Sequence, residues 1–284
     1  MRRLLTHWFQ EVDELLRGEK TRPQMLADRG LEVGAGRLMV AIVVMGMIYG
    51  LCMGSYSLLK EIPPQLANRS DRYMQVLASV VKTPALFFLT LLVTMPSLYV
   101  FNALVGSRLG LANLFKLLIT SLVINTTVLA SLGPIVAFFS LTTSSHSFIV
   151  LLNVAVFSVA GVLGLLFLLQ TLHRLTNLEQ WRAHEDRVVR LEPSAGDERP
   201  TDETNVMENL SALDMPTGDV LARHTRTVFR CWVVLFALVG AQMSWVLRPF
   251  IGTPSLPFEW FRERQSNFFT AVLNTLRELL FGGG

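Results

Sequence analysis

Histidine, cysteine and paired carboxylates carry most protein chemistry, and here they are few and scattered. His7, His146, His173, His184 and His224 fall in termini, loops and the end of an apolar stretch, without the short spacing that a metal site needs. Cys52 and Cys231 both lie inside apolar stretches, where cysteine serves as a small packing residue. No phosphate-binding loop, dinucleotide glycine fingerprint, nucleophile elbow or intramembrane Asp pair is present. The sequence therefore predicts no catalytic residue, no metal ligand and no cofactor, and a protein that is not an enzyme.

The residues that remain are apolar. Of 284 residues, 51% are hydrophobic and 17% charged, below the roughly 25% charged of soluble domains. A helix needs about 20 apolar residues to cross a hydrocarbon layer roughly 30 Å thick. Four blocks free of Asp, Glu, Lys and Arg approach or exceed that length: Leu38 to Leu59, Thr83 to Ser107, Leu117 to His173, and Cys231 to Leu247. The third is too long for one helix. Gly133-Pro134 and the polar run from Thr142 to His146 divide it into spans at about 111–135 and 148–172. The fourth, at 17 residues, spans with Arg230 and Arg248 snorkelling to the two interfaces.

These blocks predict an all-α fold, a polytopic transmembrane helical bundle of about five spans with interfacial amphipathic helices at both termini. The expected organisation is a cytoplasmic amphipathic segment (1–36), a four-span region (37–172), a cytoplasmic helix extension with a flexible loop (173–227), a fifth span (228–251) and an external amphipathic segment (252–284). The first 36 residues are polar and mixed in charge, so the first span is expected to be its own insertion signal. With the N-terminus inside, 17 of the 25 Lys and Arg fall on the cytoplasmic side and 8, Lys60 and Lys82 among them, on the other. That bias predicts a cytoplasmic N-terminus and an external C-terminus, with a bacterial cytoplasmic membrane as the location. The net charge of +3 reflects these flanking bases and implies no nucleic-acid partner.

At the N-terminus, Leu4, Leu5, Trp8, Phe9, Val12, Leu15 and Leu16 recur at helical spacing, with Trp8 and Phe9 placed at headgroup level. After the fifth span come Trp260 and Phe261, then a helix-spaced set that includes Phe268, Leu273, Leu276 and Leu280; Trp260, Phe261 and Phe268 are the external interfacial residues. The loop from Lys60 to Lys82 has a similar habit. The stretch from Glu192 to Asp219, rich in Pro, Ser, Thr and acids, reads as a linker.

Gly46, Gly50 and Gly54 repeat every four residues in the first span, and Gly161 and Gly164 lie in the fourth; both sets predict close helix packing. Asn102, Asn125, Thr126, Asn153 and Gln242 are uncharged polar residues within spans, expected to hydrogen-bond between helices or, on the alternative reading, to line a solute path. No ionisable residue falls near the middle of a predicted span, which weighs against a coupled transporter.

The polar N-terminus, five spans and external C-terminus, with Lys82-Thr83-Pro84-Ala85-Leu86-Phe87-Phe88-Leu89-Thr90-Leu91-Leu92 opening the second span, resemble the Yip-type membrane proteins over about 37–172. The Asp-Leu-Tyr-Gly-Pro motif of the eukaryotic branch is absent. The resemblance implies a non-enzymatic membrane-organising role. The expected partners are the lipid bilayer and either other membrane subunits or further copies of the chain; the alternative is a transporter or channel-like protein for a small uncharged solute.

Overall fold

The structure is a computed structural model that describes residues 13, 34–59, 69–104, 111–191, 218–252, 257–263 and 266–281. The N-terminal amphipathic segment, Trp8 and Phe9 included, lies outside the described residues apart from Asp13. Most of the linker beyond Leu191 lies outside them too. All regular structure among the described residues is helical: α1 (Ala35–Leu59), α2 (Arg69–Leu104), α3 (Leu111–Thr142), α4 (His146–Leu191), α5 (Gly218–Val246) and α6 (Phe268–Phe281).

Four of these helices are long and apolar enough to cross a membrane, over Ala35–Leu58, Asp71–Val100, Leu114–Thr142 and His146–Thr171. In α5 the apolar stretch is the shorter Arg230–Val246. Two boundaries differ from the sequence reading. The second helix begins at Arg69, not after Lys82, so much of the expected external loop belongs to α2. The third runs through Gly133-Pro134 and ends at Thr142. Proline is tolerated within such helices where neighbouring helices pack around it, as α1 does at Pro84 through Gly46. The turn between α3 and α4 shrinks to residues 143–145. There Ser145 caps α4, its Oγ accepting the Phe148 amide at 3.3 Å.

The helices pack by way of small residues and aromatic wedges. A Cβ on Gly50 would come within 2.6 Å of the Ser79 carbonyl oxygen, and one on Gly46 or Gly54 within 3.3 Å of Pro84 or 3.2 Å of Val76. These contacts fix the antiparallel register of α1 and α2. On the other side of α1, Gly133 of α3 meets the Cys52 side chain. Tyr49 packs edge-on against Phe157 with ring centroids 5.2 Å apart, and Phe87 stacks on the same ring. α5 lies along α2, with Trp232 wholly buried and its Nε1 donating to Ser97 Oγ at 3.1 Å.

The two ends of the bundle can be told apart by their contacts. At one end Trp232 meets Leu98, Leu114 and Leu168, from the end of α2, the start of α3 and the inner part of α4. At the other, the Tyr56 hydroxyl donates to the Ser144 carbonyl, Gln75 Nε2 donates to the Phe250 carbonyl, and Ser147 Oγ donates to Glu278 of α6. The ends of α1, α3 and α5 and the starts of α2 and α4 all gather there. α6 crosses this end beside α4, capped by Asn267, whose Oδ1 accepts the Thr270 amide at 2.8 Å.

Outside the packed interior the helices remain apolar. Val40, Val44, Met47, Ile48 and Leu51 of α1 are exposed, as are Leu92 and Val93 of α2 and Val159, Val162 and Leu163 of α4. A surface this apolar needs lipid or another apolar partner.

Candidate functional site

The most polar cluster inside the bundle is built on α2. Gln75, Ser79 and Lys82 follow one another at intervals of four and three residues, which places them on one helical face. Tyr73, Met74, Leu77 and Val81 occupy the exposed face of the same turns. The polar face points inward because the chain leaving α5 supplies backbone acceptors for it. Gln75 Nε2 donates to the carbonyls of Pro249 (3.4 Å) and Phe250 (3.1 Å), and the Ser79 hydroxyl also donates to Phe250. Lys82 Nζ donates to the Pro249 carbonyl at 3.1 Å and to the Trp260 carbonyl. The ammonium also lies 5.1 Å from the centroid of the Phe261 ring and 5.9 Å from that of Trp260.

Lys82 is only 3% exposed. It stands between Ser79, level with Gly50, and Pro84, level with Gly46, and is thus abreast of the middle of α1. This corrects the expectation that no ionisable residue falls at mid-span. Counting helices from charge-free blocks makes every lysine a boundary and so puts Lys82 in an external loop. The signal that would have found it is the polar stripe Gln75, Ser79, Lys82 running through otherwise apolar turns.

The residues singled out in the sequence separate into several groups. Asn153 is buried, accepting from the Tyr49 hydroxyl at 2.8 Å and donating to the Ile149 carbonyl at 2.9 Å. Thr126 is buried and donates back to its own helix, to Leu122 and Val123. Asn125 packs its Cβ against Gly164, while Ser121 donates to the Gly164 carbonyl at 2.7 Å. Asn125 Oδ1 is buried without a hydrogen-bond partner, as is Thr90 Oγ1 across from Gly240. Gln242 is half-buried on α5, and Asn102 falls near the end of α2. Gly161 has open space where a Cβ would go, so of the α4 pair only Gly164 makes a close approach. Trp260 and Phe261 are exposed and precede α6, whose first residue is Phe268.

No family model, curated protein or solved structure matches this chain. Its chemistry must therefore be read from the cluster itself. Among the described residues no group of three or more His, Cys, Asp or Glu is placed to hold a metal ion, and Cys52 and Cys231 are free thiols. A cavity of about 10 Å³ at the Trp232 end is walled by Leu98, Leu114, Leu117, Leu168, Leu169, Trp232 and Val233. Its walls offer no polar partner, and an apolar void of that size stays dry. What the α2 cluster does chemically is satisfy itself: Gln75, Ser79 and Lys82 donate to carbonyls of the same chain, whereas Thr90 Oγ1 and Asn125 Oδ1 elsewhere in the bundle find no partner.

Proposed function

We propose that this chain is a non-enzymatic integral membrane protein that acts as a structural, scaffolding or accessory subunit of a membrane assembly. It crosses the bilayer five times, with a cytoplasmic N-terminus and an external C-terminus, in a bacterial cytoplasmic membrane. The observation that carries the functional reading is the inward closure of its polar groups. Tyr49 with Asn153, Ser121 with Gly164, and Gln75, Ser79 and Lys82 with the chain after α5 are used to join helices, not to line a continuous path.

The fifth crossing is supported by where α5 starts and ends. From Trp232 at one end of the bundle to Leu247 is a rise of about 22 Å at 1.5 Å per residue; beyond it Phe250 reaches Gln75 and Gly252 lies beside Ser57 near the end of α1. Residues 248–252 complete the distance that the apolar stretch alone leaves short. The Lys and Arg bias, 17 on the cytoplasmic side against 8 on the other, gives the direction. α6 then lies in the outer interface. It has no buried residue, and Phe269, Leu273, Leu276, Leu280 and Phe281 are exposed. A Yip-type organising role fits this layout.

The test is purification in mild detergent with identification of what accompanies the protein. Gly50 is unsuited to probing a partner, since α2 already occupies its face. The α6 pair Leu273→Glu and Leu280→Glu leaves the bundle intact and should release a partner subunit or second copy, with no solute flux in proteoliposomes of either protein.

A second reading, a transporter or channel-like protein for a small uncharged solute, draws on Lys82 at mid-bundle and on the unpartnered Asn125 Oδ1. Intramembrane ionisable groups and broken helices mark solute sites in many transporters. Flux abolished by Asn125→Leu or Asn153→Leu would establish it in place of the first.

A further inference from the structure

α4 and α5 run antiparallel and touch near Trp232, where Leu168 and Leu169 of one and Trp232 and Val233 of the other wall the same small apolar cavity. From that contact the two facing stripes lead outward, through Leu165 and Phe236, which still pack on the core, to Gly161 and Gly240. Gly161 stands seven positions from Leu168 and Gly240 seven from Val233, so the glycines lie level, about 10 Å from the contact. They do not meet. A Cβ on Gly161 would find nothing within 4 Å, and one on Gly240 would find only Thr90 Cγ2 of α2, at 3.6 Å. Further out, α6 and the residue before its cap bridge the two helices again, through Ser147 and Glu278 on the α4 side and through Trp245 and the Ser266 carbonyl on the α5 side. The seam is thus closed at both ends and open between them.

We propose that this slot binds one hydrocarbon chain of a membrane phospholipid as a fixed part of the fold. Its depth selects the phase of the occupant, because between two apolar helices inside the bilayer an empty gap forfeits packing and water is not at hand. Its walls select the chemistry. The Ser158 hydroxyl on the α4 rim donates back to the Val154 carbonyl at 2.7 Å, and that of Ser244 on α5 to the Ala241 carbonyl at 2.6 Å, so neither asks for an outside partner. Thr90, at the floor, turns a methyl to Gly240. Its width selects the shape. Helices that touch at the foot and are bridged by α6 above leave no room for a further helix roughly 10 Å across, whereas a single chain is far narrower. The site is independent of whether the protein scaffolds an assembly or moves a solute.

The test uses the full chain, moved from vesicles of phosphatidylethanolamine and phosphatidylglycerol into mild detergent, with retained lipid counted by native mass spectrometry and thermal unfolding followed in parallel. The unsubstituted chain should keep one phospholipid, and after stripping, added phosphatidylglycerol should raise its unfolding midpoint. Gly161→Leu fills the slot with its own side chain; it should lower the one-lipid species about tenfold and make the midpoint indifferent to added lipid. Ser158→Leu on the exposed rim should act in the same direction, which keeps the test decisive where Gly161→Leu does not fold. Val159→Phe, exposed on another side of α4, should change neither readout. A one-lipid species that persists in a folded Gly161→Leu or Ser158→Leu overturns the site. So does an unsubstituted chain that retains no lipid, whether it is single or paired with a second copy across the seam.

Discussion

Tyr49 and Asn153 are 104 positions apart and share a buried hydrogen bond of 2.8 Å. Asn153 spends its amide donor on Ile149, so its oxygen depends on the tyrosine. Tyr49→Phe leaves that oxygen unpaired in an apolar interior, and an interhelical bond of this kind contributes on the order of 1 kcal/mol. The expected result is a lower midpoint of thermal unfolding in detergent. Tyr49→Phe combined with Asn153→Leu should cost less than the two single losses added, since neither group is then stranded. At this scale the sequence was half legible. Asn153 stands out as a polar residue in an apolar run, but Tyr49 is an ordinary membrane-helix residue until its neighbour is known. Lys82 was hidden by its own charge, because its acceptors come from backbone carbonyls, which have no sequence signature.

At the scale of elements, glycine spacing showed a helix face built for close approach, and only the register decides which glycine is essential. The Cβ of Gly50→Ala would meet the Ser79 carbonyl oxygen at 2.6 Å and Val80 Cα at 2.9 Å, both backbone atoms of α2 that cannot rotate away. Forced separation of two packed helices costs about 1–3 kcal/mol. Gly161→Ala meets nothing within 4 Å and gains helix propensity, up to about 1 kcal/mol. Denaturation in detergent should therefore move in opposite directions for the two variants, and equal effects would mean that α1 and α2 are not in this register. Charge-free blocks revealed four long apolar helices, but not their limits. α2, with 36 residues, is about 54 Å long and carries Lys82, Pro84 and Pro96 within it. Lys82 and Pro84 read as a boundary in a string, whereas in the packed bundle carbonyls take up the ammonium and Gly46 of α1 packs against the proline.

For the whole molecule, the arrangement to be tested is the threading, and the structure determines where the test must be made. The stretch 136–147, free of Lys and Arg, reads as an external loop, yet Ser140 within it is fully buried and its hydroxyl donates to the Val136 carbonyl at 2.8 Å. A thiol there would stay unlabelled whichever way the chain crosses. Ser144 lies in the turn between α3 and α4 with its side chain exposed, and only its carbonyl is used, by Tyr56. In intact cells producing a variant with Cys52 and Cys231 replaced by Ser, a membrane-impermeant thiol reagent should therefore label Ser144→Cys. The same reagent should reach Thr270→Cys, exposed on α6, because Ser147 and Glu278 bring α6 to the end of the bundle where α4 begins. It should label Pro200→Cys only after the cells are opened. Labelling of Ser144→Cys without Thr270→Cys would separate α6 from that end and remove the fifth crossing. Labelling of Pro200→Cys alone would turn the whole molecule over, leaving its internal packing as it is and reversing which compartment meets α6.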